Sequence, residues 1–323
     1  MSRLPTTDLY FLNACRHSLA GWLRGGPVRQ LGPNCFSAAN RVLLIRRDSE
    51  QLMRHVRQKA RNFIYLVDDD IESASQSHEL PQDYRGRLIR FHEEYHRALT
   101  ENADTLVVTS SALLDRFSWH KDVRLLHPVW HLPMAGDAHF SELAKGGPIN
   151  AVHLGSGSHA PALHFLRPVV ETLLEQHRRL HFTYFGHVPA MGALDKHPRV
   201  QRLRPRPWWR YRRWIGRQRF HLGLYPLPDT AFNKARSRNK LLEHGVVGAV
   251  GIYSEEWQAV SSMTGRAIVA ESDPEAWIET LSRTLAKPHC LRALFNDSRS
   301  TLDDMNDATI QRRFWSELLG VVI

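Results

Sequence analysis

Short runs of apolar residues recur along the first half of the chain, each followed by a longer mixed segment. The runs lie at 41–45, 63–67 and 105–109. They are rich in β-branched residues, which is typical of parallel strands covered by helices on both faces. The segments between them, for example 48–60 and 86–101, have the composition of helices. The first half therefore predicts alternating strands and helices in a doubly wound layer.

The same alternation restarts after residues 144–149, where the sequence AKGGPI contains two glycines and a proline, as linkers often do. Strands are predicted next at 150–154, 181–185, 220–224 and 249–253, and helices at 161–178, 237–246, 274–287 and 308–319. We therefore predict an α/β chain of two units, residues 1–147 and 148–323, and leave open whether the last helix packs back onto the first unit. Two such units place a ligand cleft between the carboxyl edges of their sheets.

The composition, with 42% hydrophobic and 24% charged residues, is that of an ordinary globular protein. No apolar run reaches the roughly 18–20 residues that span a bilayer, and no signal peptide is expected. The three cysteines are widely spaced, which suits a reducing cytosol better than a disulfide framework or a zinc site. The net charge of +10 predicts attraction to polyanions such as phosphorylated ligands, anionic lipids or nucleic acid.

Two segments of the second half gather groups that suit phosphate. The turn HLGSGSHAPAL at 153–163 combines glycines, which allow close backbone approach, with the start of a predicted helix. At the start of the helix 237–246, Ser237 is a candidate N-cap, and Lys240 and Glu243 share one face. The cation and free N–H groups suit a diphosphate, and the carboxylate suits ribose hydroxyls. A plain turn and a solvated helix with an internal Lys–Glu pair remain the alternatives.

Several motifs, in the right order, resemble those of the GT-B glycosyltransferases related to glycosyltransferase family 4. The motifs are YLVDDD (65–70), ADTLVVTSSALLDRF (103–117), GSGSH (155–159), VETLLEQHRRLHFTYFG (170–186) and LYPLPDTAFNKARSRNKLLEHGVVG (224–248). The resemblance is patchy over about residues 40–290 and strongest over 150–255. It implies the GT-B fold, in which two Rossmann-like, doubly wound domains face a cleft.

The resemblance also implies roles in binding the donor, which would be a UDP- or GDP-sugar. Glu243 would contact the ribose, while the turn 155–159, Arg236 and the helix start at 237–240 would surround the diphosphate. The donor-binding residues expected on this basis are Gly155, Ser156, Ser158, Asp229, Asn233, Arg236, Ser237, Lys240 and Glu243. No cofactor beyond the donor and no metal is expected, since cations and helix N-termini stabilise the leaving diphosphate in this fold.

The chain departs from the family pattern at two positions. Retaining members often carry an E-x7-E pair, and Ala235 stands where the first acid would be. Asp229, Asn233 or Lys234 could occupy that space, so retention against inversion of the sugar's configuration stays open. The usual lysine of the family is Arg236 here, which also binds phosphate.

Three aspartates, Asp68 to Asp70, follow the predicted strand 63–67 and should face the cleft opposite the donor loops. They could hold a divalent cation, take a proton from an acceptor hydroxyl, or cap the next element. We favour acceptor contact or a general-base role for Asp69 or Asp70 over metal binding, since a D-x-D metal site belongs to the other major glycosyltransferase fold. His159, in the glycine-rich turn, is the third catalytic candidate. His92 and His96 have zinc-compatible spacing, but nothing suggests a third ligand.

The segment RLRPRPWWRYRRWIGRQRF, residues 202–220, holds eight arginines and three tryptophans. A solvated basic helix, a segment that binds single-stranded nucleic acid and an interfacial membrane helix are the three interpretations. We favour the membrane helix, since many transferases of the resembled family use lipid-linked acceptors; nucleic acid is not an expected partner. The residues expected to contact an anionic membrane or another polyanion are Trp208, Trp209, Arg210, Arg213 and Trp214.

The predicted function is therefore transfer of a sugar from a nucleoside-diphosphate sugar to a glycan or lipid-linked acceptor. Such a transferase would serve surface polysaccharide or glycoconjugate biosynthesis in the cytoplasm, at the inner face of the plasma membrane. The alternative is a protein that keeps the fold but is catalytically inactive or binds nucleic acid.

Overall fold

The computed structural model describes residues 2–15, 26–59, 62–155, 160–186 and 190–323. Across these residues, twelve strands form two six-stranded sheets, one in each half of the chain. Helices flank both sheets, as the alternating sequence pattern predicts.

The first sheet joins an antiparallel hairpin to four parallel strands. Its strands are β1 (Val28–Gly32), β2 (Cys35–Ala38), β3 (Arg41–Ile45), β4 (Phe63–Val67), β5 (Thr105–Val108) and β6 (Val123–Leu125), paired in that order. The pairs from β3 to β6 are parallel. Every residue of β4 and β5 is buried, which explains their uninterrupted apolar sequences. The hairpin β1–β2 was not predicted.

The helices of the first half lie between or beside these strands. They are α1 (Pro5–Thr7), α2 (Glu50–Lys59), α3 (Ile71–Gln76), α4 (Gln82–Phe91), α5 (Arg97–Asn102), α6 (Ser111–Arg116) and α7 (Ser141–Ala144). Two π-helical turns, Asp8–Leu12 and His92–His96, extend α1 and connect α4 to α5.

The second sheet is entirely parallel. Its strands are β7 (Ile149–His153), β8 (Leu180–Phe185), β9 (Val200–Leu203), β10 (Leu222–Tyr225), β11 (Val250–Ser254) and β12 (Ile268–Ala270). Their spatial order is β12-β11-β10-β7-β8-β9, so the chain reverses its direction of winding between β7 and β10. Ligands of doubly wound sheets bind beyond the carboxyl ends of the strands at such a reversal.

The helices of the second half cover both faces of this sheet. They are α8 (Ala160–Gln176), α9 (Trp208–Ile215), α10 (Ala231–Lys234), α11 (Asn239–Val247), α12 (Pro274–Ala286), α13 (Leu291–Met305) and α14 (Ala308–Leu319). The helices predicted at 161–178, 274–287 and 308–319 coincide with α8, α12 and α14 within two residues. None of the described helices is long and apolar enough to cross a membrane.

The last helix, α14, packs on the beginning of the chain. The Trp315 indole is fully buried and donates a 2.6 Å hydrogen bond to the carbonyl of Tyr10. Its ring meets Phe11 edge-on, with 5.4 Å between ring centroids. Gln311 donates to the carbonyl of Leu9. The end of the chain therefore completes the core of the first unit.

We predict that Trp315→Ala lowers the free energy of unfolding by about 3–5 kcal/mol, because a large cavity replaces a buried indole. The matched control is Ile310→Ala on the same helix, where the side chain is 65% exposed and a change within about 0.5 kcal/mol is expected. Guanidinium unfolding followed by circular dichroism measures both. Equal effects of the two changes would contradict the packing of α14 on the N-terminal segment.

Candidate functional site

A cavity of about 400 Å³ lies between the carboxyl edges of the two sheets. The first unit contributes Arg46, Asp68 and Asp69, which directly follow β3 and β4. The second unit contributes Leu154 and Gly155 after β7, and Tyr225 at the end of β10. The cavity thus occupies the position that the strand order favours for a ligand.

Glu243 of α11 is a buried carboxylate, 5% exposed, in the wall of this cavity. Lys240, one turn earlier on the same helix, forms an ion pair with Glu243 Oε2 and donates to the carbonyl of Leu154. The Tyr211 hydroxyl donates to Glu243 Oε1 at 2.5 Å. A carboxylate offers about four acceptor positions, so these two donors orient Glu243 and leave capacity for a ligand.

The N-terminus of α11 also opens on the cavity, through Ser237, Asn239 and Lys240. The helix begins at Asn239, and Arg238 occupies the N-cap position that we predicted for Ser237. The Ser237 hydroxyl accepts from the Asn239 amide at 3.4 Å, so Ser237 supports the helix start from one residue further out. Free amide groups and the positive end of the helix dipole favour an anion here.

Arg236 adds a partly buried cation beside the helix start. Its guanidinium lies 4.3 Å above the ring of Phe232 and 3.8 Å from Asp69 Oδ1. Its Nε has no hydrogen-bond partner among the described residues, so the group keeps capacity for an anionic ligand. Burial acts to lower the pKa of Arg236, but Tyr225 and Asp69 outweigh it and the pKa is raised. Arg236 therefore stays charged.

Asp69 meets these groups from the first unit. Arg46 Nη1 lies 3.0 Å from Asp69 Oδ2 and 3.2 Å from Asp68 Oδ2. Arg46 holds this position with a left-handed backbone, φ +56°, a conformation that non-glycine residues rarely adopt outside functional or tightly constrained sites. Burial raises the pKa of Asp69, Arg46 and Arg236 oppose the shift, and Asp68 adds to it, so the net direction is upward. The raised pKa and the place in the cavity wall keep Asp69 a candidate proton acceptor.

Asp70, the other aspartate expected to be catalytic, caps α3 instead. It accepts from the amide and hydroxyl of Ser73 at 3.0 and 2.7 Å, and it forms a 3.2 Å ion pair with Arg116. It does not line the cavity. The side chain turns away because a carboxylate directly before a helix satisfies the free amides of the first turn. We therefore confine the catalytic hypothesis for this run to Asp69.

Asp229 and Asn233, expected at the donor, do not line the cavity either. Asp229 forms a half-exposed ion pair with Lys234 at 2.7 Å, and the Asn233 amide donates to the carbonyl of Pro228 at 2.9 Å. Both stabilise the turn that leads through α10 to Arg236. Ser156, Ser158 and His159 lie outside the described residues, so Gly155 alone represents the glycine-rich turn in the cavity wall.

The Arg/Trp segment forms α9, and helical geometry divides its predicted membrane residues between two faces. Trp208 and Trp214 are partly buried and pack inward, Trp208 on Trp130 and Trp214 on Phe185. Trp209 is 53% exposed, and Arg210 and Arg213 lie over its ring at 4.8 and 5.6 Å. Packing therefore occupies Trp208 and Trp214, whereas Trp209, Arg210 and Arg213 face outward.

Sequence reasoning missed two residues of the cavity wall, Arg46 and Tyr211, and one residue that supports it, Asp8. Arg46 could have been found, because it follows a predicted strand as Asp69 does. Tyr211 could also have been found. It lies three residues after Trp208 and so shares one face of the helix with that tryptophan, which predicts that both side chains pack inward. Asp8 had no local signal; it is buried, accepts from Trp208 Nε1 at 2.6 Å and pairs with Arg212.

No group of three or more His, Cys, Asp and Glu side chains in the described ranges could hold a metal ion. His96 is buried and its Nδ1 lies 3.0 Å from the Tyr65 hydroxyl. A second pocket of about 450 Å³ lies beside it on the first unit, where Asp70 and Glu72 pair with Arg116. This pocket lies away from the strand reversal, so the smaller cavity is the better candidate for chemistry.

No protein-family model and no curated protein matches the sequence. Solved structures do resemble it. HepE (Alr3699) of Anabaena in complex with UDP and glucose has 11% sequence identity and a TM-score of 0.61, over 86% of this chain and 77% of that one. WaaG, a glycosyltransferase involved in lipopolysaccharide biosynthesis, has 14% identity and a TM-score of 0.56, over 83% and 81%. A glycosyltransferase from Rickettsia africae has 10% identity and a TM-score of 0.54, over 86% and 76%. The chain has the GT-B glycosyltransferase fold, which confirms the predicted fold class.

Proposed function

We propose that the chain is a glycosyltransferase that moves a sugar from a nucleoside-diphosphate sugar to a glycan or lipid-linked acceptor. One observation carries the proposal. At the strand reversal of the second sheet, the partly buried cation of Arg236, a helix N-terminus and an oriented buried carboxylate, Glu243, line a single cavity. The Anabaena structures of this fold contain UDP with glucose, or UDP-glucose, which favours a UDP-sugar over a GDP-sugar as donor.

The donor's polar groups match this arrangement one by one. The diphosphate would lie at the N-terminus of α11 beside Arg236, where amide N–H groups and a guanidinium bind anions. The ribose hydroxyls would donate to Glu243. A cavity of about 400 Å³ is in the range of small-molecule sites.

The same groups would lower the barrier to sugar transfer. When the bond between the sugar and the diphosphate breaks, negative charge grows on the departing phosphate oxygen. Arg236 and the amides of α11 are already oriented, so they stabilise that charge without rearranging. We infer on this basis that catalysis needs no metal ion.

The first unit would supply the acceptor side. As the acceptor oxygen bonds to the sugar's anomeric carbon, that oxygen must lose its proton. Asp68 and Asp69 both line the cavity from the first unit, and Asp69 is the one that pairs with Arg236, so we propose that Asp69 takes this proton. Because Ala235 replaces the first acid of the E-x7-E pair, the proposal covers either stereochemical course.

We further propose that the outward face of α9, formed by Trp209, Arg210 and Arg213, contacts the anionic inner face of the plasma membrane. The two arginines already stack on the exposed indole, a combination that suits lipid headgroups. Such contact would hold the cavity near a lipid-linked acceptor. The role of WaaG in lipopolysaccharide biosynthesis supports a place in surface polysaccharide or glycoconjugate synthesis.

The first test is thermal stabilisation of the full chain by UDP, GDP and oligonucleotides. We expect UDP to raise Tm, since about 100 times its Kd adds about 2.7 kcal/mol to stability by mass action. Glu243→Gln should lose most of this increase, whereas Glu255→Gln, at an exposed position, should keep it. A Tm increase with oligonucleotides and with no nucleoside diphosphate would instead support the nucleic-acid-binding alternative.

The second test concerns Asp69 and metal. Release of UDP from the most active nucleotide-sugar of a panel should continue in EDTA and fall by about 10²–10⁴-fold in Asp69→Asn, the range for loss of a general base. Because the pKa of Asp69 is raised and the base must be deprotonated, kcat/KM should fall as pH decreases through that pKa. Asp83→Asn, an exposed control, should leave rate and pH profile unchanged. Abolition of turnover by EDTA would refute the metal-free mechanism.

The third test concerns the membrane face. Co-sedimentation with phosphatidylglycerol vesicles should weaken with salt and with Arg210→Gln and Arg213→Gln, by about 1 kcal/mol for each arginine. Trp209→Ala should weaken it further, whereas Trp119→Ala, 59% exposed and on the first unit, should not. Equal binding to pure phosphatidylcholine vesicles would show that the outward face does not recognise anionic lipid.

A further inference from the structure

Helix α9 connects a buried carboxylate of the first unit to the wall of the donor cavity. Asp8, in the π-helical turn Asp8–Leu12, is 1% exposed. It accepts from Trp208 Nε1 at 2.6 Å and forms an ion pair with Arg212. Trp208 and Arg212 lie on α9 of the second unit, so these two contacts cross between the units, whereas Arg3 of the first unit pairs with the other oxygen, Asp8 Oδ1, at 3.1 Å.

The other contact of α9 reaches Glu243. Tyr211 lies between Trp208 and Arg212 in sequence and donates its hydroxyl hydrogen to Glu243 Oε1 at 2.5 Å. Its ring stacks on Trp208 at 5.9 Å and meets Phe185 edge-on at 5.7 Å. The phenol is therefore held by the indole that Asp8 anchors.

We infer that Asp8, Trp208 and Tyr211 form a relay that orients Glu243 for a ligand's ribose, and that the relay is complete only while the two units are in contact. This inference rests on the proposed function. Tyr211 and Asp8 are positioning residues in it, since they act through Glu243.

The geometry of the carboxylate is the physical basis of the relay. A glutamate side chain has three rotatable bonds, and Lys240 restrains only Oε2. Tyr211 restrains Oε1, so both oxygens are directed and each keeps a lone pair for a ribose hydroxyl. Burial and the charge of Glu243 raise the pKa of Tyr211, so the phenol remains protonated and acts as the donor.

The opposite possibility makes the inference testable. If the Tyr211 hydroxyl merely competed with the ribose for the Glu243 carboxylate, removing that hydroxyl would tighten ligand binding. If Tyr211 orients Glu243, removing the hydroxyl weakens binding, and only through the ribose hydroxyls. The two cases therefore predict opposite changes in the affinity for UDP when the Tyr211 hydroxyl is removed.

The experiment is isothermal titration of the full chain with UDP and with 2′-deoxyuridine diphosphate. We expect Tyr211→Phe to weaken UDP binding about tenfold, the effect of one lost hydrogen bond to a charged group, and to weaken binding of the deoxy ligand, which keeps only its 3′-hydroxyl, by less. Tyr184→Phe is the matched control, because Tyr184 also donates to a carboxylate, that of Asp195, but outside the cavity. It should bind both ligands as the wild type does.

A double-mutant cycle tests the link to the first unit. Asp8→Asn should weaken UDP binding several-fold in the wild-type background and little in the Tyr211→Phe background, because the two changes interrupt one relay. Arg212→Gln removes the ion pair with Asp8 by changing the other residue. It provides a second test of the same link if Asp8→Asn lowers the stability of the protein. Arg217→Gln, exposed just beyond α9, is its control.

The outcomes separate the relay from the proposed function. Absence of UDP binding by the wild type would overturn both. Wild-type binding that Glu243→Gln abolishes, with Tyr211→Phe unchanged or tighter, would overturn the relay alone. Additive effects of Asp8→Asn and Tyr211→Phe would overturn the link between the units.

Discussion

The burial of one carboxylate, Glu243, constrains the whole second unit. A carboxylate that is 5% exposed must be compensated, because an unpaired buried charge costs several kcal/mol, about 3–5 when a partner is removed. Its compensation comes from three elements: Lys240 on the same helix, the end of β7 through the Leu154 carbonyl that binds Lys240, and Tyr211 on α9. The positions of β7, α9 and α11 around the cavity are therefore mutually dependent, and the compensated carboxylate still has lone pairs for a ligand.

The two units meet through charges as well as through a shared hydrophobic cluster. Arg46 and Asp69 of the first unit approach Arg236 of the second, and Trp130 donates to Asn239 at the start of α11 at 2.9 Å. Asp69 thus lies between two guanidinium groups. An incoming diphosphate would compete with Asp69 for Arg236, and burial raises the pKa of Asp69, as a proton acceptor requires. Under the proposed function, donor binding and the acceptor-side base would consequently be coupled in one electrostatic cluster.

The predictions that the structure revised share a physical cause. Asp70 directly precedes α3, and a carboxylate at that N-cap position accepts hydrogen bonds from the free amides of the first helical turn. Asp229 and Asn233 stabilise a turn in a similar way. Trp208 and Trp214 pack inward because helical periodicity separates them from Trp209. In each case the side chain is engaged by a local partner, or lies on the other face of its helix, and so does not have the predicted contact.

The sequence by itself determined the alternation of strands and helices, since uninterrupted apolar runs such as 63–67 occur where both faces of a strand are covered. It also determined the local group at the start of α11, because Arg236, Lys240 and Glu243 lie within eight residues and a helix places them together. Only the tertiary structure decided which side chains from distant segments complete the site. Asp8 and Trp208, like Asp69 and Arg236, are far apart in the chain, and their contacts depend on the packing of the two units, which no local pattern encodes.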